Sequence, residues 1–269
     1  MKMMVKKGVD TGAGKTTVIL LPSHSIKSQK FGDMTPINAA LCAVRAHIDA
    51  AARIAGRDPA SIHLLAVSKT RSAADVRAAF DAGQRAFGEN YVDEMAEKAA
   101  LLAGLGLEWH FIGSLQSNKT RVVAEYCDWV HSIDRLKIAE RLSMQRDASR
   151  LPLQVCLQVN VSGELSKGGV PPDEIVPLAR AVAALPQLCL RGLMCIPEPS
   201  ENLSLLRRRF ALLRQLSEQL RTEGLALDTL SMGMSYDLEA AIAEGATIVR
   251  VGTAIFGERT ASTGELVSQ

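Results

Sequence analysis

The stretch His63-Leu64-Leu65-Ala66-Val67-Ser68-Lys69-Thr70-Arg71 is an apolar run that ends in a lysine and then passes into a helical pattern. It reads as one strand, one turn and the start of one helix. Period-2 alternation puts Leu65, Val67 and Lys69 on one face, so the lysine should point where the apolar side chains point. Partial desolvation there favours the free amine, which can attack an aldehyde as a Schiff-base nucleophile. The plainer alternative is a lysine that snorkels from a strand end into water, the commoner fate of this residue type.

The same unit repeats along the chain. Thr35-Pro36 caps a first amphipathic helix reaching about Gly56. Strands are then expected near residues 62–68, 85–88, 108–113, 129–132, 153–161, 188–196, 229–232 and 247–251. Helices are expected near residues 73–82, 91–102, 119–126, 136–149, 172–184, 203–223 and 237–244. Alternating β and α with near-continuous apolar strands implies an α/β fold with a parallel sheet covered by helices. Eight strands point to a closed (β/α)8 TIM barrel with an extra N-terminal helix; a doubly wound open sheet is the alternative. In a barrel, functional groups gather at the carboxyl ends of the strands.

Composition excludes several classes. With 269 residues, 47% of them apolar and 22% charged, one barrel-sized domain is the default. Lys plus Arg at 31 against Asp plus Glu at 29 leaves a net charge of +2, no footprint for nucleic acid. Arg207-Arg208-Arg209 reads as a solvated helix face. No run approaches the roughly 18 apolar residues of a membrane span. The five cysteines (Cys42, Cys127, Cys156, Cys189, Cys195) show no CxxC spacing and read as reduced residues of a cytoplasmic protein.

Residues 1–33 differ from the rest and are expected to be a disordered extension, a tag or an over-extended start, with Met34 as the true initiator. The barrel is expected over residues 34–260 and a flexible tail over 261–269. Gly8-Val9-Asp10-Thr11-Gly12-Ala13-Gly14-Lys15-Thr16 resembles a phosphate loop, but its first glycine stands one residue too early and no strand precedes it. The apolar patch Val18-Ile19-Leu20-Leu21-Pro22 is too short for a signal peptide.

The strand ends can be read in turn. Strand two ends in Gly88-Glu89-Asn90-Tyr91, and strand three in His110-Phe111-Ile112-Gly113. Strand five carries Gln158, Asn160 and Ser162 on one face, as barrel filling that satisfies itself or as ligand contacts. Strand seven ends in Ser231-Met232-Gly233-Met234-Ser235 and strand eight in Arg250-Val251-Gly252-Thr253. Glycine-plus-hydroxyl turns after strands seven and eight are where barrels hold a phosphate. Arg250, inside an apolar strand, needs an acceptor: a core carboxylate, or the nitrogen of a bound heteroaromatic ring. An imine lysine, a ring-facing arginine and a phosphate turn together point to pyridoxal 5′-phosphate (PLP).

These segments, with Trp109-His110-Phe111-Ile112-Gly113, Leu115-Gln116-Ser117-Asn118-Lys119, Arg191-Gly192-Leu193-Met194 and Val249-Arg250-Val251-Gly252-Thr253-Ala254-Ile255-Phe256-Gly257, resemble the pyridoxal phosphate homeostasis proteins. The resemblance runs from about Thr35 to Arg259. It implies a single-domain PLP-binding barrel of the alanine-racemase N-terminal type, fold type III. It further implies that Lys69 holds the cofactor as an internal aldimine, that Arg250 faces the pyridine nitrogen, and that Ser235, Gly252 and Thr253 hold the phosphate. Asn90, His110, Met194 and Ser231 complete the expected cofactor contacts, and Lys167 matches an auxiliary amine at the mouth. Residues 1–33 and Tyr236 depart from the family pattern.

The function so implied is intracellular PLP homeostasis, buffering or delivering the cofactor to PLP-dependent apoenzymes, without robust catalysis. A racemase needs a second domain and a tyrosine base from a partner. The chain ends at Gln269, and Tyr91, Tyr126 and Tyr236 have no matching context. A monomer, with no nucleic-acid, membrane or metal partner, is expected. The competing readings are a fold-type-III amino-acid racemase or decarboxylase, a cofactor-free Schiff-base aldolase, and a protein-interaction module.

Overall fold

A computed structural model of the protein describes residues 35–164 and 168–258. Eight parallel strands close a barrel in chain order: β1 (His63–Val67), β2 (Ala86–Glu89), β3 (Glu108–Phe111), β4 (Trp129–Ile133), β5 (Leu153–Gln158), β6 (Leu188–Met194), β7 (Thr229–Ser231) and β8 (Ile248–Val251). Closure is made by β8 against β1, with Leu65 opposite Arg250. The helices are α1 (Pro36–Ile54), α2 (Ala73–Asp81), α3 (Val92–Leu101), α4 (Thr120–Tyr126), α5 (Leu136–Gln145), α6 (Ile175–Ala183), α7 (Leu203–Thr222), α8 (Leu238–Ala243) and α9 (Thr253–Phe256). The closed barrel with its extra first helix is therefore as expected, and the open sheet is excluded.

Local sequence explains the element starts. Thr35 Oγ1 accepts from the Asn38 N–H at 3.3 Å while Pro36 supplies first-turn geometry, and α1 buries Leu41, Val44, Ile48, Ala51 and Ala52 as one stripe. Ser72 and Asp75 form a reciprocal capping box at the start of α2, worth about 1 kcal/mol.

Two apolar layers result. The main core lies between strands and helices, where Phe87, Phe111, Val130 and Val249 pack in one cluster with Val76, Met95, Ile138 and Phe210. The alternate strand positions form a separate cluster of Leu65, Ile112 and Ile248, with Val67, Ala86 and Trp129 against it; this fills part of the barrel interior. Polar side chains share the interior: His110, His131, Ser231 and Arg250 are all buried.

Several boundaries differ from expectation, β5 and α5 most among them. β5 stops at Gln158, because Asn160 turns its side chain onto its own loop: Oδ1 accepts from Ser162 N–H (3.3 Å) and Gly163 N–H (3.1 Å), and Nδ2 donates to Glu164 O (2.7 Å). Gln158 Nε2 donates to Gly168 O, and Ser162 Oγ accepts from Glu198 N–H. The polar stripe thus ties the loop after β5. α5 ends at Gln145 because Arg146 is extended, its guanidinium donating to the carbonyls of Ala124, Cys127 and Leu151. The short α9 follows β8 without a sequence signal longer than one turn.

Residues 1–33 with their phosphate-loop-like stretch, Lys167, and the tail over 261–269 lie outside the described residues. Among the described residues, no helix is long and apolar enough to cross a membrane, and no His, Cys, Asp and Glu cluster could hold a metal ion.

Candidate functional site

β1 ends two residues before Lys69. Arg71 N–H donates to Ser68 O at 3.0 Å, closing a turn with Lys69 and Thr70 in its middle. Thr70 has φ +62°, in the left-handed region where glycine is usual. A side chain there costs about 1–2 kcal/mol.

A buried ionic cluster holds this turn from beneath. Thr70 N–H donates to Glu94 Oε1 at 2.6 Å. Lys98 Nζ donates to Ser68 O (2.6 Å), Glu89 Oε1 (2.7 Å) and Glu94 Oε1 (2.6 Å). Ser68 Oγ donates to Glu89 Oε1 at 2.6 Å. Lys98 is 4% exposed and Glu89 is fully buried. Burial pushes the Glu89 carboxyl up against the opposing pull of Lys98 and Ser68.

Above the turn, Lys69, Val67, Thr70, Arg71, Gly252 and Thr253 line a small cleft of about 50 Å³. Gly252 lies close against β1, since a Cβ there would sit a tight 3.1 Å from Val67 O. The neighbouring turn after β7 uses Gly233 at φ +94°, where a Cβ would lie 2.6 Å from Ala241 Cβ. Asp237 Oδ1 fixes that turn by accepting from Met234 N–H at 2.6 Å. Ser235 and Thr253 are exposed at the mouth, while Met194 is buried. Asn90 Oδ1 and Asp237 Oδ2 are buried without a hydrogen-bond partner among the described residues.

Arg250 is 3% exposed. Its Nη1 donates to Ser231 Oγ (2.8 Å) and its Nη2 to Cys195 O (2.8 Å), and no carboxylate forms an ion pair with it among the described residues. The buried carboxylate of Asp237 acts on this arginine through space, each favouring the other's charged form, without a direct bond between them. Ser231 Oγ lies 2.8 Å from His131 Nδ1, His131 Nε2 lies 2.9 Å from His110 Nδ1, and His110 Nε2 lies 2.9 Å from Glu108 Oε1. Ser231 and His110, expected as cofactor contacts, are thus the first and third members of a chain running away from Arg250.

Sequence reasoning missed His131, Glu108 and the Glu89, Glu94 and Lys98 cluster. The signal for His131 was its parity: it shares the inward face of β4 with Trp129, as His110 does on β3. Tyr236 is half exposed, and burial together with Asp237 pushes its phenol up to about 12, so it keeps its proton near neutrality. Burial holds the Cys195 thiol up at about 12 as well.

A larger cavity of about 640 Å³ lies at the opposite, amino-terminal end, lined among others by His63, Glu108, His110, Trp129, Arg191 and Asp228. Size alone would make it the candidate site. Barrel chemistry, however, sits at the carboxyl ends of strands, where Lys69, Arg250 and the two glycine turns converge.

Comparisons with known proteins place the chain in one family. Residues 40–260 match the model of the alanine racemase N-terminal domain. The chain is 60% identical over 226 residues to the pyridoxal phosphate homeostasis protein of Pseudomonas aeruginosa, covering 84% of this chain and 97% of that one. It is 53% identical over 232 residues to the protein of that name from Escherichia coli, covering 84% and 98%. PipY of Synechococcus elongatus, solved with PLP bound, superposes with a TM-score of 0.73 at 39% identity, covering 82% of this chain and all of that one. Alanine racemase from Corynebacterium glutamicum superposes at 0.60 with 18% identity, covering 84% and 63%, a likeness of fold alone.

Proposed function

The chain belongs to the pyridoxal phosphate homeostasis protein family, and from that premise we propose that it holds PLP at the carboxyl-terminal mouth of its barrel and serves to buffer or deliver it. The observation that carries this reading is Arg250: a buried guanidinium with a hydroxyl and a carbonyl as acceptors and, among the described residues, no carboxylate bonded to it, on the strand paired with the one that leads to Lys69. Such a group calls for an acceptor from outside the chain.

The residues suit the cofactor. Lys69 would anchor it as a Schiff base, its amine nitrogen bonding the aldehyde carbon as water leaves. Arg250 would face the ring nitrogen, and the exposed Ser235 and Thr253 with the Gly252 backbone would meet the phosphate. Asn90 and Met194 would flank the same mouth, and Asn90 Oδ1, without a partner among the described residues, is an acceptor for a hydroxyl or water donor. When bound, PLP supplies an electron-withdrawing ring conjugated to its aldehyde carbon. A permanently charged arginine cannot give the ring nitrogen a proton, so proton abstraction from a bound amino acid gains little from the ring. Tyr236, with its phenol held up at about 12, is no base at neutral pH. Weak or absent turnover follows, in a cytoplasmic monomer that hands PLP to apoenzymes.

The test is the visible spectrum of the protein with added PLP, then borohydride reduction and peptide mapping. A reducible band with the pyridoxyl label on Lys69 is expected. Label spread over surface lysines would overturn the reading. Solvent deuterium entering Cα of an added amino acid at a median enzyme rate, about 10 s⁻¹, would move the racemase reading to the front.

A further inference from the structure

The chain of hydrogen bonds below Arg250 has one consistent direction. Arg250 Nη1 donates to Ser231 Oγ, and a guanidinium accepts nothing, so the Ser231 proton must go elsewhere. The acceptor within reach is His131 Nδ1 at 2.8 Å. With Nδ1 accepting, neutral His131 carries its hydrogen on Nε2 and donates it to His110 Nδ1. His110 is then also the Nε2–H tautomer and donates to Glu108 Oε1. The reverse order leaves the Ser231 proton without an acceptor among the described residues and, with neutral rings, sets a bare His110 nitrogen against a carboxylate. A charged His131 would be fully buried beside Arg250, and desolvation, His110 and Arg250 all oppose it.

The two rings are also fixed in orientation. Trp129 stacks on His110 with centroids 5.4 Å apart and planes 5° apart, and His131 meets His110 edge-on at 5.1 Å. The members come from β3, β4, β7 and β8, so the line crosses the barrel from wall to wall. Glu108, half exposed, stands at its far end on the rim of the amino-terminal cavity.

We infer that Glu108, His110, His131 and Ser231 form a one-way hydrogen-bond relay that positions the Arg250 guanidinium from the opposite end of the barrel, with Glu108 as its terminal acceptor in the amino-terminal cavity. Each neutral donor aims its hydrogen away from Arg250, so every oxygen or nitrogen facing the guanidinium side is a lone pair. Removing the acceptor at Glu108 frees His110 to flip its tautomer, and the change passes through His131 to the hydroxyl that Arg250 holds. Only the last step, from Arg250 to a bound ring nitrogen, rests on the cofactor reading.

The experiment is long-range 1H–15N NMR of the full chain without cofactor at pH 7, with His110→Asn and His131→Asn used for assignment. Two neutral Nε2–H rings are expected. Glu108→Ala should displace the ring signals of His110 and His131 and the side-chain signals of Arg250 while His47 stays in place. Glu108→Gln, which keeps an acceptor oxygen, should largely restore them. A charged His131, an Nδ1–H tautomer, or Arg250 signals unmoved in Glu108→Ala would overturn the relay. With PLP added, Glu108→Ala should shift the visible band while borohydride still labels Lys69; an unshifted band removes the step to the ring. If the wild type takes no label at Lys69, the cofactor reading fails, and the NMR result still decides the relay.

Discussion

Thr70 holds a left-handed backbone, φ +62°, and its N–H donates to Glu94 Oε1 at 2.6 Å. The carboxylate thus pins a costly conformation in the residue next to Lys69. Glu94→Ala is expected to lower stability by about 1–2 kcal/mol and to weaken PLP binding roughly tenfold, about 1.4 kcal/mol, in thermal melts and spectral titration. Thr70→Gly, which relieves the backbone, should melt at or above the wild type. If Thr70→Gly lowers the melting temperature as much as Glu94→Ala does, the backbone argument is wrong.

Lys98 stands between two carboxylates, one of them fully buried. Lys98→Met leaves Glu89 without its counter-charge, and a loss of about 3–5 kcal/mol is expected. The pH dependence follows from the raised proton affinity of Glu89 in the folded state. Such a group favours folding below its unfolded value, about 4.3, and that contribution is lost as pH rises through the folded value. Without Lys98 the folded value climbs further, so Lys98→Met should lose more stability than the wild type between pH 5 and pH 7. Urea melts at both pH values decide it, and Glu89→Gln added to Lys98→Met should flatten the difference.

His131 gives the opposite slope. Its folded form holds a proton more weakly than the unfolded chain, because the ring is fully buried near His110 and Arg250. Above the unfolded value, about 6.5, its contribution is complete; as pH falls, protons bind the unfolded state and stability drops toward the folded value. One such proton is worth up to about 1.4 kcal/mol per pH unit. His131→Asn should therefore show a shallower loss between pH 7 and pH 5 than the wild type. Equal slopes would mean that the folded ring titrates normally.

How much of this was legible depends on the kind of signal. The strands of a parallel barrel are buried on both faces and read as apolar runs, so all eight appeared, and so did the two charges that break such runs, Lys69 and Arg250. The partners of those charges did not appear in the same way. Glu94 and Lys98 are four apart on α3 and look like a solvated surface pair; only the packing of α3 under the Lys69 turn buries them. His131 lies among ordinary strand residues, and its role depends on which inward positions of β3, β7 and β8 face it after closure. Cys195 contributes a carbonyl, which no side-chain pattern reports.

Gly252 sets the width of the Lys69 cleft. An added Cβ would sit 3.1 Å from Val67 O and 3.4 Å from Val67 Cβ. Val67 lies on β1, which is paired with β2 on one side and β8 on the other, so its backbone has little freedom to yield. Gly252→Ala must therefore push β8's exit and Thr253 away from Lys69. A loss of about 1–3 kcal/mol from overpacking is expected, with PLP affinity reduced roughly tenfold, about 1.4 kcal/mol. Both are read from the same protein, by urea melting without PLP and by spectral titration with it. Wild-type melting with weakened binding would place the effect in contact with the cofactor itself, and unchanged values in both would show that the cleft tolerates a side chain and that glycine is not what shapes it.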